Sequence, residues 1–263
     1  MFIEFAVIIA FSTLFIASVF DVKSQKGDVP EIILFTGIGA GLILHLIHSI
    51  VNWSSSAIIW SLGTGLAFGI YGYFAYRRGM WGGADFLGLL ILGVSTPYFL
   101  GVIGIFDLIV NTMMTGFLYA AGFGIYGGVK SEEVRKDFKQ RVQDEKKYIG
   151  AGLLLTALFS GFAYSQGLNG VLYFGAFSFM ILLYYFMTSV EEKMMVKTVQ
   201  ASEVEEGDVL AEGEIKGVEK EEIEDLEGKV ELKKGIRFMP VFPVGLALTI
   251  AGVSVLRFLV GVF

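Results

Sequence analysis

Apolar stretches of about 20 residues, separated by short polar links, recur along this chain and constrain its fold more than any other feature. Helices of that length cross a bilayer, where each backbone polar group must find its partner within its own segment. Eight such segments are legible, at about 2–20, 31–51, 57–76, 81–96, 108–127, 148–164, 171–187 and 238–263. The expected fold class is therefore an all-α polytopic membrane protein of about eight transmembrane helices. The apolar stretch 97–107 reads as a loop, re-entrant or interfacial, ahead of the fifth segment. Gly37-xxx-Gly41 and Gly65-xxx-Gly69 have the spacing of packing motifs, in which small residues let helices approach closely. The N-terminal Met1-Phe2-Ile3-Glu4 run lacks a basic region and does not read as a cleaved signal peptide.

The expected organisation is a transmembrane core at 1–128, a charged cytoplasmic helix or loop at 129–147, a transmembrane hairpin at 148–187, an acidic cytoplasmic subdomain at 188–237 and a last transmembrane helix at 238–263. Within 188–237 the pattern Val196-Lys197-Thr198-Val199 alternates, as does Lys229-Val230-Glu231-Leu232-Lys233. Glu221 to Leu226 suits a turn or two of helix, so the subdomain reads as small and α+β. Nineteen of the 20 Lys and Arg residues fall in 21–30, 76–80, 130–147 and 188–237. By the positive-inside rule those four regions are cytoplasmic and both termini lie outside the plasma membrane. Arg257, the exception, lies near the far end of the last segment and can snorkel outward.

Cysteine is absent, which removes disulfides, thiolate catalysis and cysteine-ligated zinc. Two histidines make a metal site of the usual ligands an unattractive reading, and no cofactor is expected. The net charge of −6 arises mostly in 188–237, which holds 15 acidic residues, so it does not point to nucleic acid. The expected surroundings are membrane lipid.

Two carboxylates stand out. Asp21 closes the first apolar segment, and Asp85 opens the fourth, within Met80-Trp81-Gly82-Gly83-Ala84-Asp85-Phe86. The charge pattern places both on the cytoplasmic side, with Asp85 about 6 Å deep at the helical rise. An ionisable residue inside a span is a functional-site hypothesis by default. Two carboxylates brought together share a proton and titrate as a unit. One can activate water against a peptide carbonyl while the other polarises it, which is aspartic-protease chemistry. Gly82 and Gly83 would let an extended substrate backbone approach Asp85.

Each candidate has a plainer reading. Asp85 suits a helix N-terminus, where the dipole favours a carboxylate, and Asp21 is an ordinary segment-end residue. Asp28 reads as a turn residue. Asp107 reads as solvated in an outer loop or capping segment five. His45 and His48, three residues apart, read as interfacial polar residues, and Trp81 as an interfacial aromatic anchor. Three rival functions remain beside the protease. A transporter would use Asp21 and Asp85 in a proton or cation path, though no internal repeat supports it. A protease of the presenilin or signal-peptide-peptidase type would carry a Pro-Ala-Leu motif that this chain lacks. A structural scaffold leaves the two acids unexplained.

The run Asp21-Val22-Lys23-Ser24-Gln25-Lys26-Gly27-Asp28-Val29-Pro30, followed by Gly82-Gly83-Ala84-Asp85, resembles the type IV prepilin peptidases, GxGD intramembrane aspartyl proteases. The archaeal prepilin and preflagellin peptidases look most similar. They too lack the cysteine zinc module, and the run Gly235-Ile236-Arg237-Phe238-Met239-Pro240-Val241-Phe242-Pro243 also looks like that branch. The resemblance covers 1–127 and the C-terminal quarter. It departs at Ala84, where the family motif has its second glycine, and at the additional segment pair 148–187. It implies that Asp21 and Asp85 are catalytic and that Gly82, Gly83 and Ala84 form the substrate-facing backbone. It also implies that the substrates are precursors of type IV pilins or archaellins, cut between a short basic leader and a hydrophobic helix. The acidic segment 188–237 could attract that leader.

Overall fold

The computed structural model describes residues 1–24, 29–78, 80–167, 169–204, 208–211, 218, 220–233 and 235–254. In chain order its elements are α1 (Phe2–Lys23), α2 (Glu31–Val51), α3 (Ser56–Arg77), α4 (Gly83–Ser95), α5 (Pro97–Lys130), α6 (Glu132–Asp144), α7 (Lys146–Ser165) and α8 (Gly170–Met194). They continue with β1 (Val196–Gln200), a 3₁₀ turn (Ala201–Glu203), β2 (Val209–Leu210), α9 (Lys220–Glu224), β3 (Lys229–Lys233) and α10 (Val241–Ile250). Six of these helices, α1, α2, α3, α5, α7 and α8, are long and apolar enough to cross a bilayer. The protein is a mostly helical membrane protein with a small β component.

The chain divides into two compact units. The first takes in described residues within Met1–Tyr119, Val204–Leu226 and Gly235–Phe263. Its centre is α4, of which nine of 13 residues are buried. At 1.5 Å per residue α4 is only about 20 Å long, against a hydrocarbon core of about 30 Å. Glycines let its neighbours reach its backbone. A Cβ at Gly93 would stand 2.9 Å from the Thr64 carbonyl oxygen and 3.1 Å from the Gly65 Cα on α3. The closeness lets Ser61 and Thr64 donate hydrogen bonds to the carbonyls of Val94 and Gly93, each at 2.6 Å. Gly41 on α2 meets the Ser95 hydroxyl, and Gly37 meets Thr13 on α1. Leu14, Leu34, Ile91, Leu92, Phe242 and Leu246 fill the core between these helices.

The second unit takes in Ala120–Glu203 and Glu227–Lys234. The last turns of α5 lie on α8, where Gly124, Gly127 and Gly128 make room for Met187, Met194 and Phe186. Ser131 caps α6 by accepting the Val134 N–H at 3.3 Å. On the polar side of α6, Arg141 pairs with Asp137 at 2.6 Å and with Glu192 of α8. β1 and β3 pair antiparallel, from Val196 opposite Lys233 to Gln200 opposite Lys229.

Several expectations are corrected. The stretch 97–107 is helical rather than a loop. It forms the start of α5, kinked where Gly101 adopts φ 65°, a left-handed conformation that glycine tolerates. α8 runs on to Met194, past the expected end at 187, because Ser189 and Val190 are buried and Glu191, Glu192 and Lys193 find ion-pair partners. Described residues of the polar segment 188–237 fall in both units. Arg257 and Asp28 lie outside the described residues.

Candidate active site

Asp21 sits in the last turn of α1, on the same stripe as Ala10, Leu14 and Ala17. The spacing of four, three and four residues keeps all of them on one helix face. That face packs into the core, so the Asp21 side chain is buried, with 5% exposure. Its Oδ2 accepts the backbone N–H of Met239 at 3.2 Å. Met239 lies in the irregular stretch that leads into α10. Two residues earlier, Arg237 donates to the Val22 carbonyl at the end of α1 and lies within charge–charge range of Asp21. Tyr119 of α5 lies within range of both Asp21 and Arg237.

Asp85 occupies the first turn of α4 and is also buried, with 8% exposure. Its Oδ2 accepts the Gly82 N–H at 3.1 Å, which satisfies one of the unpaired donors at the helix start. The helix-capping reading of Asp85 is thus part of its role. It does not account for the burial, nor for the position of Asp21 within electrostatic range of Asp85. Each carboxylate has one oxygen committed to a backbone N–H. The second oxygen of each takes no hydrogen bond among the described residues.

Gly82 and Gly83 are not demanded by the fold itself. Gly82 has an extended backbone with φ −73°. A Cβ there would sit 3.5 Å from Asp85 Oδ2, and one on Gly83 would sit 3.8 Å from the Tyr76 ring. Ala84 packs against the core with its small side chain. Trp81 is half-buried in an aromatic cluster: it stacks on Phe238 at 6.3 Å and meets Tyr71 and Phe242 edge-on.

The remaining candidates fall elsewhere. Asp107 is buried within α5, where it accepts from Ser254, so it is neither in a loop nor solvated. One turn on, Asn111 donates to Thr249 at 3.0 Å and to the Val253 carbonyl at 2.7 Å. His45 is fully buried, with its Nδ1 bonded to the Gly41 carbonyl at 2.8 Å. His48 packs on the Tyr98 ring. Among the described residues no group of three or more His, Cys, Asp or Glu could hold a metal ion. Sequence reasoning assigned no role to Arg237, Met239 or Tyr119. The available signals were an arginine beside the last apolar segment and the resemblance carried by the run from Gly235 to Pro243.

No protein-family model, curated protein or solved structure matches the chain.

Proposed function

We propose that this protein is an intramembrane aspartyl endopeptidase of the prepilin-peptidase type, with Asp21 and Asp85 as its catalytic pair. The observation that carries the reading is a pair of buried carboxylates on α1 and α4 within electrostatic range of each other, each with one oxygen held by the backbone and one left for chemistry. Such a pair holds a proton between its members. The ionised member takes a proton from a water molecule as that water attacks the scissile carbonyl. The protonated member donates a hydrogen bond to the carbonyl oxygen and then a proton to the departing amine. The missing side chains at exposed Gly82 and Gly83, where a Cβ would meet its nearest neighbour only at 3.5 and 3.8 Å, suit the approach of an extended peptide at the Asp85 end.

In this reading the apolar segments that contain the short helices α4 and α10 complete eight crossings, and the termini lie outside. Asp21 and Asp85 sit near the cytoplasmic face, where the Lys and Arg residues gather and water is at hand. The substrates are type IV pilin or archaellin precursors, cut between a basic leader and an apolar helix. Wild-type protein in detergent or membranes should cut such a precursor. Asp21→Asn and Asp85→Asn, which keep the shape and remove the titratable proton, should each lower turnover by roughly 10²- to 10⁴-fold while folded. Full activity in either folded variant would exclude the pair as the catalytic dyad. The transport reading retains one observation, a further buried carboxylate at Asp107. It becomes the better reading if the wild type cuts no basic-leader precursor and ion flux depends on Asp85.

A further inference from the structure

The stretch Arg237-Phe238-Met239 touches three different parts of the site with three consecutive residues. The Met239 N–H holds the Asp21 carboxylate at 3.2 Å. The Arg237 guanidinium donates to the Val22 carbonyl, one of the orphan acceptors at the end of α1, where a cation also suits the helix dipole. The Phe238 ring stacks on Trp81 at 6.3 Å with 29° between planes. Trp81 immediately precedes Gly82, whose N–H holds Asp85. The far side of the Phe238 ring sits in a socket on α5. A Cβ at Gly116 would come to 2.5 Å from the tip of that ring, so a larger residue there would push the ring aside.

The two aspartates stand on helices far apart in sequence, and no hydrogen bond among the described residues joins them directly. The strap is what reaches both: its backbone and guanidinium fix the end of α1, and its aromatic ring fixes the approach to α4. We infer that Arg237-Phe238-Met239 sets the placement of the two site carboxylates, with Arg237 as the positioning residue for Asp21 and Phe238 for the Asp85 side. In its consequence for turnover the inference rests on the peptidase reading; in its geometry it does not.

The test uses the full-length protein and two readouts. The first is kcat and KM on a prepilin-type precursor. The second is the rate at which a hydrophobic carbodiimide, which attacks protonated carboxyl groups, modifies Asp21 and Asp85, followed by mass spectrometry. Arg237→Gln should lower kcat by about ten- to a hundredfold with little change in KM. It should change the Asp21 modification rate roughly threefold or more while leaving Asp85 alone. Arg237→Lys, which keeps the charge, should restore part of both. Phe238→Leu should instead change the rate at Asp85. It also serves as the test should Arg237→Gln fail to fold.

An unchanged Asp21 rate in folded Arg237→Gln overturns the inference, whatever kcat does. So does an equal change at both carboxylates with no rescue by lysine, because that marks general loosening. If the wild type cuts no precursor, the peptidase reading fails, and the modification rates still decide the strap.

Discussion

The carboxylate of Asp21 accepts its hydrogen bond from the backbone of Met239, 218 residues further along the chain, at 3.2 Å. The bond ties the end of the first helix to the start of the last one described. A backbone donor cannot be removed by changing its own side chain, so the contact tolerates substitution at 239 better than any side-chain donor would. Four further expectations follow from the packing and charge within the two units.

Gly82→Ala and Gly83→Ala should leave the fold intact, because each new methyl group has 3.5 Å or more to its nearest neighbour. Thermal stability in detergent should change by no more than about 1 kcal/mol. Cleavage should nevertheless fall for at least one of them, since the methyl group occupies the space where a peptide backbone would lie. Wild-type kcat/KM in both variants would remove these glycines from the substrate path.

Gly93→Ala should be a packing lesion. Its Cβ would press on the Thr64 carbonyl and the Gly65 Cα, which are backbone atoms and cannot rotate away. α3 must then move off α4 and loosen the hydrogen bonds from Ser61 and Thr64. A loss of about 1–3 kcal/mol is expected, read as a lower thermal midpoint. Gly63→Ala, where a Cβ meets nothing within 4 Å, is the matched control and should be neutral or slightly stabilising.

The second unit should lose stability in acid through Asp137. Burial opposes ionisation of this carboxylate. Hydrogen bonds from Arg141 and Ser189, with the charges of Arg141 and Lys193, outweigh it and hold the group below the ordinary aspartate value of 3.8. A depressed folded value means the stabilisation is present above the unfolded value and is lost as pH falls through the folded one. The thermal midpoint of the α6–α8 contact, followed by a fluorophore on α6, should therefore fall as pH drops below about 4, and Asp137→Asn should flatten that dependence. An identical acid profile in Asp137→Asn would assign the effect to other carboxylates.

If the acidic residues recruit a basic leader, Glu221→Gln combined with Glu224→Gln on α9 should raise KM severalfold at low ionic strength and leave kcat alone. The effect should fade by about 0.15 M salt, where the Debye length has shrunk to about 8 Å. An unchanged KM at low salt would sink the recruitment idea.

Local pattern carried much of the architecture. The apolar runs beginning near 2, 31, 57, 148 and 171 became α1, α2, α3, α7 and α8, because 3.6-residue periodicity and segment length are properties of neighbouring residues. The alternating runs at 196–199 and 229–233 became β1 and β3 for the same reason. Asp21 and Asp85 were legible as candidates because a carboxylate at the end of an apolar run is conspicuous. The burial of His45 and Asp107 was not legible, because which face of a helix meets a neighbour depends on the neighbour. Pro97 and Gly101 suggested a loop, but packing allowed the helix to continue through a kink.

By itself the sequence determined that the chain is helical and membrane-embedded, and that two acids stand at the ends of apolar segments, because hydropathy and spacing are written locally. Only the tertiary structure decided that Arg237, Phe238 and Met239 meet Val22, Trp81 and Asp21. A hydrogen bond across 218 residues leaves no periodic trace, and exists only once α1, α4 and the approach to α10 have packed together.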